Sequence, residues 1–300
     1  MKQNQILVII VTYNAMPWAE RCFSSLRQST VPCDVIVIDN GSTDGSQQYI
    51  RTHFPEAELI ENNQNLGFGR ANNIGLQKAL DEGYEYAYLL NQDAWVLSDT
   101  FEQLIATSKA HPEYGVLSPM QLKADGLHFE DRFGRNIISR RQDTAPFLID
   151  DLYFQRKEAV YEVSFVMAAH WMITSKCLKT VGGFSPTFSH YGEDDNYLNR
   201  AKYWKFKIGI VPSAQAVHDR ADSKWSAEKE MYIMDYTWSL VEASNPLAKV
   251  SLGKKISTFV KRGLRNRQWD LLKYALRLRK EASAVEANYQ RSLKPKAFLH

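Results

Sequence analysis

Between residues 6 and 120 the chain repeats one unit: an unbroken apolar run, a polar tip, then an amphipathic stretch. The apolar runs are ILVIIV (6–11), VIVID (35–39), AELIE (57–61), YAYLLN (86–91) and YGVLSPM (114–120). Short apolar runs without polar alternation are strands buried on both faces. The stretches at 17–28, 46–53, 71–80 and 100–110 suit helices. Strands alternating with helices predict an α/β fold, a mostly parallel sheet covered on both sides. Such sheets bind ligands beyond the carboxyl ends of their strands, so the polar tips are where chemistry is to be sought.

Downstream the pattern loosens. Residues 125–158 form a charged, poorly periodic insertion, and VYEVSFVMAAHWMITSK (160–176) resumes as a strand. CLKTVGGF (177–184) reads as a short helix ending in a glycine pair, 193–201 as a helix and FKIGIV (206–211) as a strand. Beyond His218 the chain reads as helical to its end. An α/β domain over 1–222 and a helical extension over 223–300 are expected. Cys22, Cys33 and Cys177 form no CxxC pair and fit a reduced, cytoplasmic protein. ILVIIV is too short to span a bilayer and has no cleavage site after it.

Four strand or loop tips hold candidate chemistry. VTYN (11–14) ends the first strand. DNGSTDGS (39–46) ends the second: the Asp39 carboxylate can accept from a base or ribose, Gly41 permits a sharp turn, and Asp44 with Ser46 can cap a helix. A plain strand–turn–helix connection accounts for the same residues. NQNLGFGRANNIGL (63–76) joins two glycines and an arginine to a helix start, as a phosphate site or a structural turn would. It is not a dinucleotide fingerprint, because the next glycine after Gly67 and Gly69 comes only at Gly75. LLNQDAW (89–95) leaves a single carboxylate, Asp93, at an apolar strand's tip. HYGEDDNYLNRA (190–201) gathers Glu193, Asp194 and Asp195 at a helix start, where the helix dipole favours acids and where one acid can serve as a general base. A lone His218 after a strand is structural or, with Asp93, a partner for a divalent ion sharing phosphate ligands.

Taken in order, VTYN, DNGSTDGS, NxxNxGFGRANNxG, LNQDA, GGF, YGED and a late histidine resemble the family 2 glycosyltransferases, and within them the bacterial rhamnosyltransferase-like branch of cell-surface polysaccharide synthesis. The resemblance covers about residues 4–220. It implies a GT-A nucleotide-diphospho-sugar transferase fold, inversion at the anomeric carbon and a Mg²⁺ or Mn²⁺ ion. It implies a dTDP- or UDP-linked sugar donor, with dTDP-rhamnose the branch's own, and a saccharide or lipid-linked acceptor. By position, Thr12, Asn14 and Asp39 match the nucleoside contacts, and Gly67, Arg70 and Asn72 the segment touching base and diphosphate. Asn91, Gln92 and Asp93 occupy the DxD position, with Asp93 the metal ligand and His218 the late histidine beside it. Glu193 and Asp194 match the ED motif, with Asp194 the base. Gly182, Gly183 and Phe184 match the turn near the acceptor, beside Trp171 in the bulky AHWM segment. Asn91 replaces the first acid of DxD, and Asn196 stands where a second acid often follows ED. Against a nucleotidyltransferase, VTYNAMPW lacks a glycine-rich basic loop after strand one. A non-catalytic homologue binding nucleotide or saccharide is the alternative.

The net charge of +3 points to no partner, but its distribution does. From Lys249 to Lys296 there are fourteen Lys and Arg against three acids, leaving the rest of the chain at −8. Ile256, Phe259, Val260, Leu264, Leu271, Leu272, Ala275 and Leu276 recur there at helical spacing among the cations. A basic amphipathic helix suits an anionic membrane surface, which would make the protein peripheral at the inner face of the membrane. A lid or dimer surface with a solvated basic face fits as well. Nucleic acid is not expected, since no recognised binding motif accompanies the charge.

Overall fold

The computed structural model describes residues 4–139, 147–220 and 227–300. The repeating units fold as the pattern requires: β1 (Ile6–Thr12), α1 (Ala19–Arg27), β2 (Asp34–Asp39), α2 (Ser46–His53), β3 (Glu58–Glu61), α3 (Phe68–Asp81) and β4 (Tyr86–Asn91). Then follow β5 (Ala94–Val96), α4 (Thr100–Ala110), β6 (Tyr114–Leu122), α5 (Asp131–Ser139) and α6 (Leu148–Tyr153). The chain continues through β7 (Tyr161–Glu162), β8 (His170–Thr174), α7 (Ser175–Val181), α8 (Glu193–Tyr203) and β9 (Lys207–His218). It ends with α9 (Ala227–Ala243), α10 (Leu252–Asn266) and α11 (Trp269–Ser292).

Among the described residues the strands form one sheet in the order β3-β2-β1-β4-β8-β6-β9-β5, with β7 also on β9. β1, β2, β3 and β4 are mutually parallel where they pair. β8 runs antiparallel to both β4 and β6, so the sheet is mixed rather than purely parallel. Leaving β1, the chain builds β2 on one side and β4 on the other. That reversal is the topological switch point where such sheets open a crevice. Alternate residues of β1 feed two apolar clusters, one on each face. Leu7 and Ile9 pack with Leu89, Trp171 and Phe184 on one side; Ile6, Val8 and Ile10 pack with Phe101 and Met172 on the other.

Three strands differ from expectation. The apolar stretch 160–176 is two short strands with irregular chain between them, because it is buried by packing and not by continuous pairing. FKIGIV extends as β9 through His218: Pro119 pairs Val211 and Met120 pairs Gln215, so residues 212–214 bulge outward and Pro212 is tolerated. β5, too short to be expected from the sequence, pairs antiparallel with the end of β9. The insertion at 125–158 contains α5 and α6.

Candidate active site

Register brings the tips together before any side chain is considered. Thr12 lies opposite Asp39, and Val11 opposite Asn91. The Asn91–Ala94 connection is a tight turn from β4 into β5, and Ala94 pairs with His218. Asp93 therefore projects beside His218, with Oδ1 3.5 Å from Nε2. The Asp219 N–H donates to the Asp93 carbonyl at 2.8 Å and fixes the turn. His218 is 2% exposed, and its Nδ1 has no hydrogen-bond partner among the described residues. A buried imidazole with one nitrogen unpartnered and the other at the outer limit of hydrogen-bond distance from a carboxylate is an incomplete polar site.

One carboxylate and one imidazole suit a divalent ion that takes its remaining ligands from phosphate and water. No cluster of three or more His, Cys, Asp or Glu able to hold a metal occurs among the described residues. The protein's own donor set thus fits an ion bound together with a diphosphate better than one held by protein alone.

Several expected nucleotide contacts are committed to holding loops. Asp39 is fully buried and accepts from Thr12 Oγ1 (2.8 Å), Ser42 Oγ (2.5 Å), Gln47 Nε2 (2.6 Å) and the N–H groups of Gly41 (3.0 Å) and Ser42 (2.8 Å). Burial pushes its pKa up, but the hydrogen bonds from Ser42, Gln47 and Thr12 outweigh burial and hold it below the ordinary carboxylate range. Five donors use up a carboxylate's acceptor sites, so a ribose hydroxyl would have to displace one of them. Asn14, at φ 55°, accepts from the Thr43 N–H at 2.9 Å, and Asp44 accepts from the N–H groups of Met16 and Ser46 at 3.1 Å each. The side-chain amide of Gln92 grips the Tyr13 backbone at both ends, accepting its N–H at 2.7 Å and donating to its carbonyl at 3.2 Å. The tips of β1, β2 and β4 are one cross-braced platform.

The 63–76 segment divides in the same way. α3 begins at Phe68, so Arg70 lies in its first turn, exposed and with no partner among the described residues. Asn72 is buried and donates to the Phe68 carbonyl at 3.0 Å, which removes it from ligand contact. Gly67 has φ +77°, and a Cβ there would sit 2.6 Å from the Ser189 carbonyl oxygen. That glycine lets the α3 N-terminus close against the loop leading into α8. Asn73, not singled out in the sequence, accepts from the Phe184 N–H (2.6 Å) and donates to the Phe184 carbonyl (2.9 Å), clamping the GGF turn.

The acceptor side departs most from expectation. Trp171 is 0% and Phe184 1% exposed; their rings stack with centroids 6.3 Å apart beside Tyr197. Their side chains are core and offer no surface to an acceptor. Gly183 packs against the Asn73 amide, and its N–H donates to the Ala297 carbonyl at 2.8 Å. The turn is a structural joint. Asn196 is buried and donates to the Ser244 carbonyl at 3.3 Å, tying α8 to α9, a place where a second acid would be buried.

At the start of α8, Glu193 and Asp194 part company. Glu193 is buried, and its Oε2 has no hydrogen-bond partner among the described residues. Burial, and then the negative charge of Asp194, push the Glu193 carboxyl up to about 8. Asp194 is half-buried and accepts the Asp195 N–H at 2.9 Å. Arg220, two residues past His218, lies within electrostatic reach of both Asp93 and Tyr191, and its Nε is 3.7 Å from Glu130 Oε1. It puts a cation within reach of the Asp93 turn and of the segment before α8, one that no sequence motif marked. On the α8 face that carries Asp195, Asn199 and Lys202, a cavity of about 210 Å³ opens towards α9, lined also by Trp238, Glu242 and Asn245.

Known proteins are similar to this chain in sequence and in fold. The sequence profile of the glycosyl transferase family 2 matches residues 7–173. The N-acetylglucosaminyl-diphospho-decaprenol L-rhamnosyltransferase of Mycobacterium tuberculosis is 27% identical over 234 residues, 72% of this chain and 76% of its own. The low-salt glycan biosynthesis hexosyltransferase Agl10 of Haloferax volcanii is 22% identical, covering 77% of this chain and 73% of its own. Among solved structures, S. aureus TarS 1–349 in complex with UDP superposes with a TM-score of 0.55 at 17% identity, over 87% of this chain and 72% of that one. A mannosyltransferase from Pyrobaculum calidifontis in complex with GDP-Man and Mn²⁺ gives 0.55 at 17% identity, over 95% and 76%. With the profile spanning more than half its length and a GT-A sheet carrying the motifs in order, the chain belongs to glycosyl transferase family 2 and is a rhamnosyltransferase-like enzyme.

Proposed function

We propose that the protein transfers a sugar, rhamnose or another hexose, from a dTDP- or UDP-linked donor to a saccharide or lipid-linked acceptor, with inversion, in cell-surface polysaccharide synthesis. The carrying observation is the Asp93–His218 pair at the switch point, with Arg220 in electrostatic reach of Asp93 and of Tyr191, just ahead of the Glu193–Asp194 start of α8. A divalent ion held there with the donor's phosphates would neutralise the leaving diphosphate. Arg70 and Arg220 supply further positive charge, and the braced platform of Thr12, Asn14, Asp39 and Gln92 presents rigid backbone to the nucleoside. Asp194 takes the proton from the acceptor hydroxyl as that oxygen attacks the anomeric carbon, a step worth ~10²–10⁴ in rate. Glu193, kept protonated beside it, leaves the pair's negative charge on Asp194. Direct displacement from the face opposite the leaving group gives inversion.

The acceptor's sugar is assigned to the cavity between α8 and α9, where Trp238 offers an aromatic face and Asp195, Asn199 and Asn245 offer polar groups. The lipid-linked acceptor of the mycobacterial relative supports that acceptor class. The test is thermal unfolding with a panel of nucleotides and nucleotide sugars, with Mn²⁺, Mg²⁺ or EDTA. A ligand at 100 times its Kd adds about 2.7 kcal/mol, so a metal-dependent shift with one nucleotide family is expected. Asp194→Asn should keep that shift and lose ~10² or more of transfer. Full activity in this variant would remove Asp194 as the base, and a product of retained anomeric configuration would remove direct displacement.

A further inference from the structure

The apolar residues of the basic extension sort into two sets in the structure. Phe259, Leu271, Ala275 and Leu278 are buried in a cluster with Tyr236 and Leu240 of α9 and with Phe188 from the loop before α8. Part of the stripe legible in the sequence, Ile256, Phe259, Leu271 and Ala275, therefore faces the protein. A second set faces outward: Leu264 is 63% exposed, Trp269 66%, Leu276 61% and Val260 36%. Val260 and Leu264 are one turn apart on α10. Trp269 and Leu276 are two turns apart on α11. Leu264 and Trp269 flank the turn joining the helices, where Gly263 lets α10 close on Leu272 and Arg267 takes φ 54°.

The cations sort as well. Lys249, Lys255, Arg262, Lys273 and Arg277 each pair with an acid. Lys254, Lys261, Arg265, Arg267, Arg279 and Lys280 have no acid partner among the described residues. Lys261, Arg265 and Arg267 stand next to the exposed apolar groups at the hairpin's tip. Large solvent-facing apolar side chains, a tryptophan among them, ringed by unpaired cations match the boundary between lipid headgroups and acyl chains. No helix of the described residues is long and apolar enough to cross a membrane.

We propose that the α10–α11 hairpin docks on an anionic phospholipid bilayer, with Leu264 and Trp269 entering the interface and Lys261, Arg265 and Arg267 on the headgroups. The hairpin shares its core with Phe188, and α9 meets Gly192 at the start of α8 through Thr237 and Val241. Docking thus sets the orientation of the cleft that holds Asp194. The proposal does not depend on which sugar is transferred.

The test is co-sedimentation of the full chain with phosphatidylglycerol–phosphatidylcholine vesicles against phosphatidylcholine alone, with tryptophan emission read in parallel. The wild type should partition onto the anionic vesicles with a blue shift, and high salt should weaken it. Leu264→Ser with Trp269→Ser should lower partitioning about tenfold or more and abolish the shift. Lys261→Gln with Arg265→Gln and Arg267→Gln should remove the preference for phosphatidylglycerol. All these side chains are exposed, so unfolding midpoints should stay at the wild-type value and exclude misfolding as the cause. Wild-type protein left in the supernatant with anionic vesicles, equal binding to neutral ones, or variants that bind like wild type would each overturn the proposal. Concentration-dependent dimerisation abolished by the same serine variants, without vesicle binding, would overturn it in favour of a second copy of the chain.

Discussion

Glu193 and Asp194 are neighbours in sequence, yet the fold gives them different chemistry. Glu193 turns inward, near Gly69 and Phe184, while Asp194 stays half-buried. The Glu193 carboxyl, raised to about 8 by burial and then by Asp194, has a measurable consequence. Between the unfolded value of ~4.3 and about 8, the folded protein binds more protons than the unfolded chain. Its contribution to stability is therefore full below that window and falls as pH rises through it. Glu193→Gln should flatten this decline, so the gap between variant and wild type should widen towards pH 8–9 in favour of the variant. Denaturant titrations across pH would show it, and parallel slopes for the two proteins would mean Glu193 ionises normally. His170 behaves in the opposite sense: burial pushes it down to about 3, so it is a neutral strut between Tyr88 (2.9 Å) and the Val217 carbonyl (2.9 Å), directly behind His218.

At the scale of elements, Gly67 governs how closely the start of α3 approaches the loop before α8. Gly67 has φ +77° and ψ 173°, a region essentially reserved for glycine. Gly67→Ala adds a Cβ 2.6 Å from a backbone oxygen as well as the backbone strain. It should cost about 2–4 kcal/mol and reduce transfer beyond what stability explains. Matched unfolding curves and kcat/KM would check it, with wild-type values for both showing that the approach is not needed. The glycine was visible in the sequence, but whether it served a phosphate or a packing contact was open there, because Ser189 is far away along the chain. β5 was hidden for the same kind of reason: three residues, AWV, carry too little pattern, and the strand exists only through its pairing with β9.

Across the whole molecule, the expected division at 222/223 falls within residues outside the described set, and the helices after it are not a free appendage. The last residues return to the α/β part: Lys296 N–H donates to the Thr180 carbonyl at 3.1 Å, and His300 N–H to Gln77 Oε1 at 2.7 Å. Phe298 and Leu299 are buried there, with the buried Arg200 guanidinium over the Phe298 ring at 5.0 Å and donating to the Gly183 carbonyl at 2.8 Å. Deleting residues 294–300 should cost about 3–5 kcal/mol from the two large side chains alone. It should also loosen the GGF turn, lowering the unfolding midpoint and raising hydrogen exchange at 181–184. An unchanged midpoint would show the C-terminal contact to be dispensable.

By itself the sequence determined the alternation of buried strands and helices, hence the α/β sheet, and the polar tips that mark one end of it, because those follow from local periodicity and chain order. It also displayed the motif order that implied the family. Tertiary structure alone decided what each tip residue does. Asp39 and Gln92 became braces, Trp171 and Phe184 core, and Asp93 the neighbour of a histidine 125 positions away along the chain. Those outcomes depend on non-local register, on which face of an element is covered and on how many donors reach an acceptor, none of which is written in the spacing of residues along one segment.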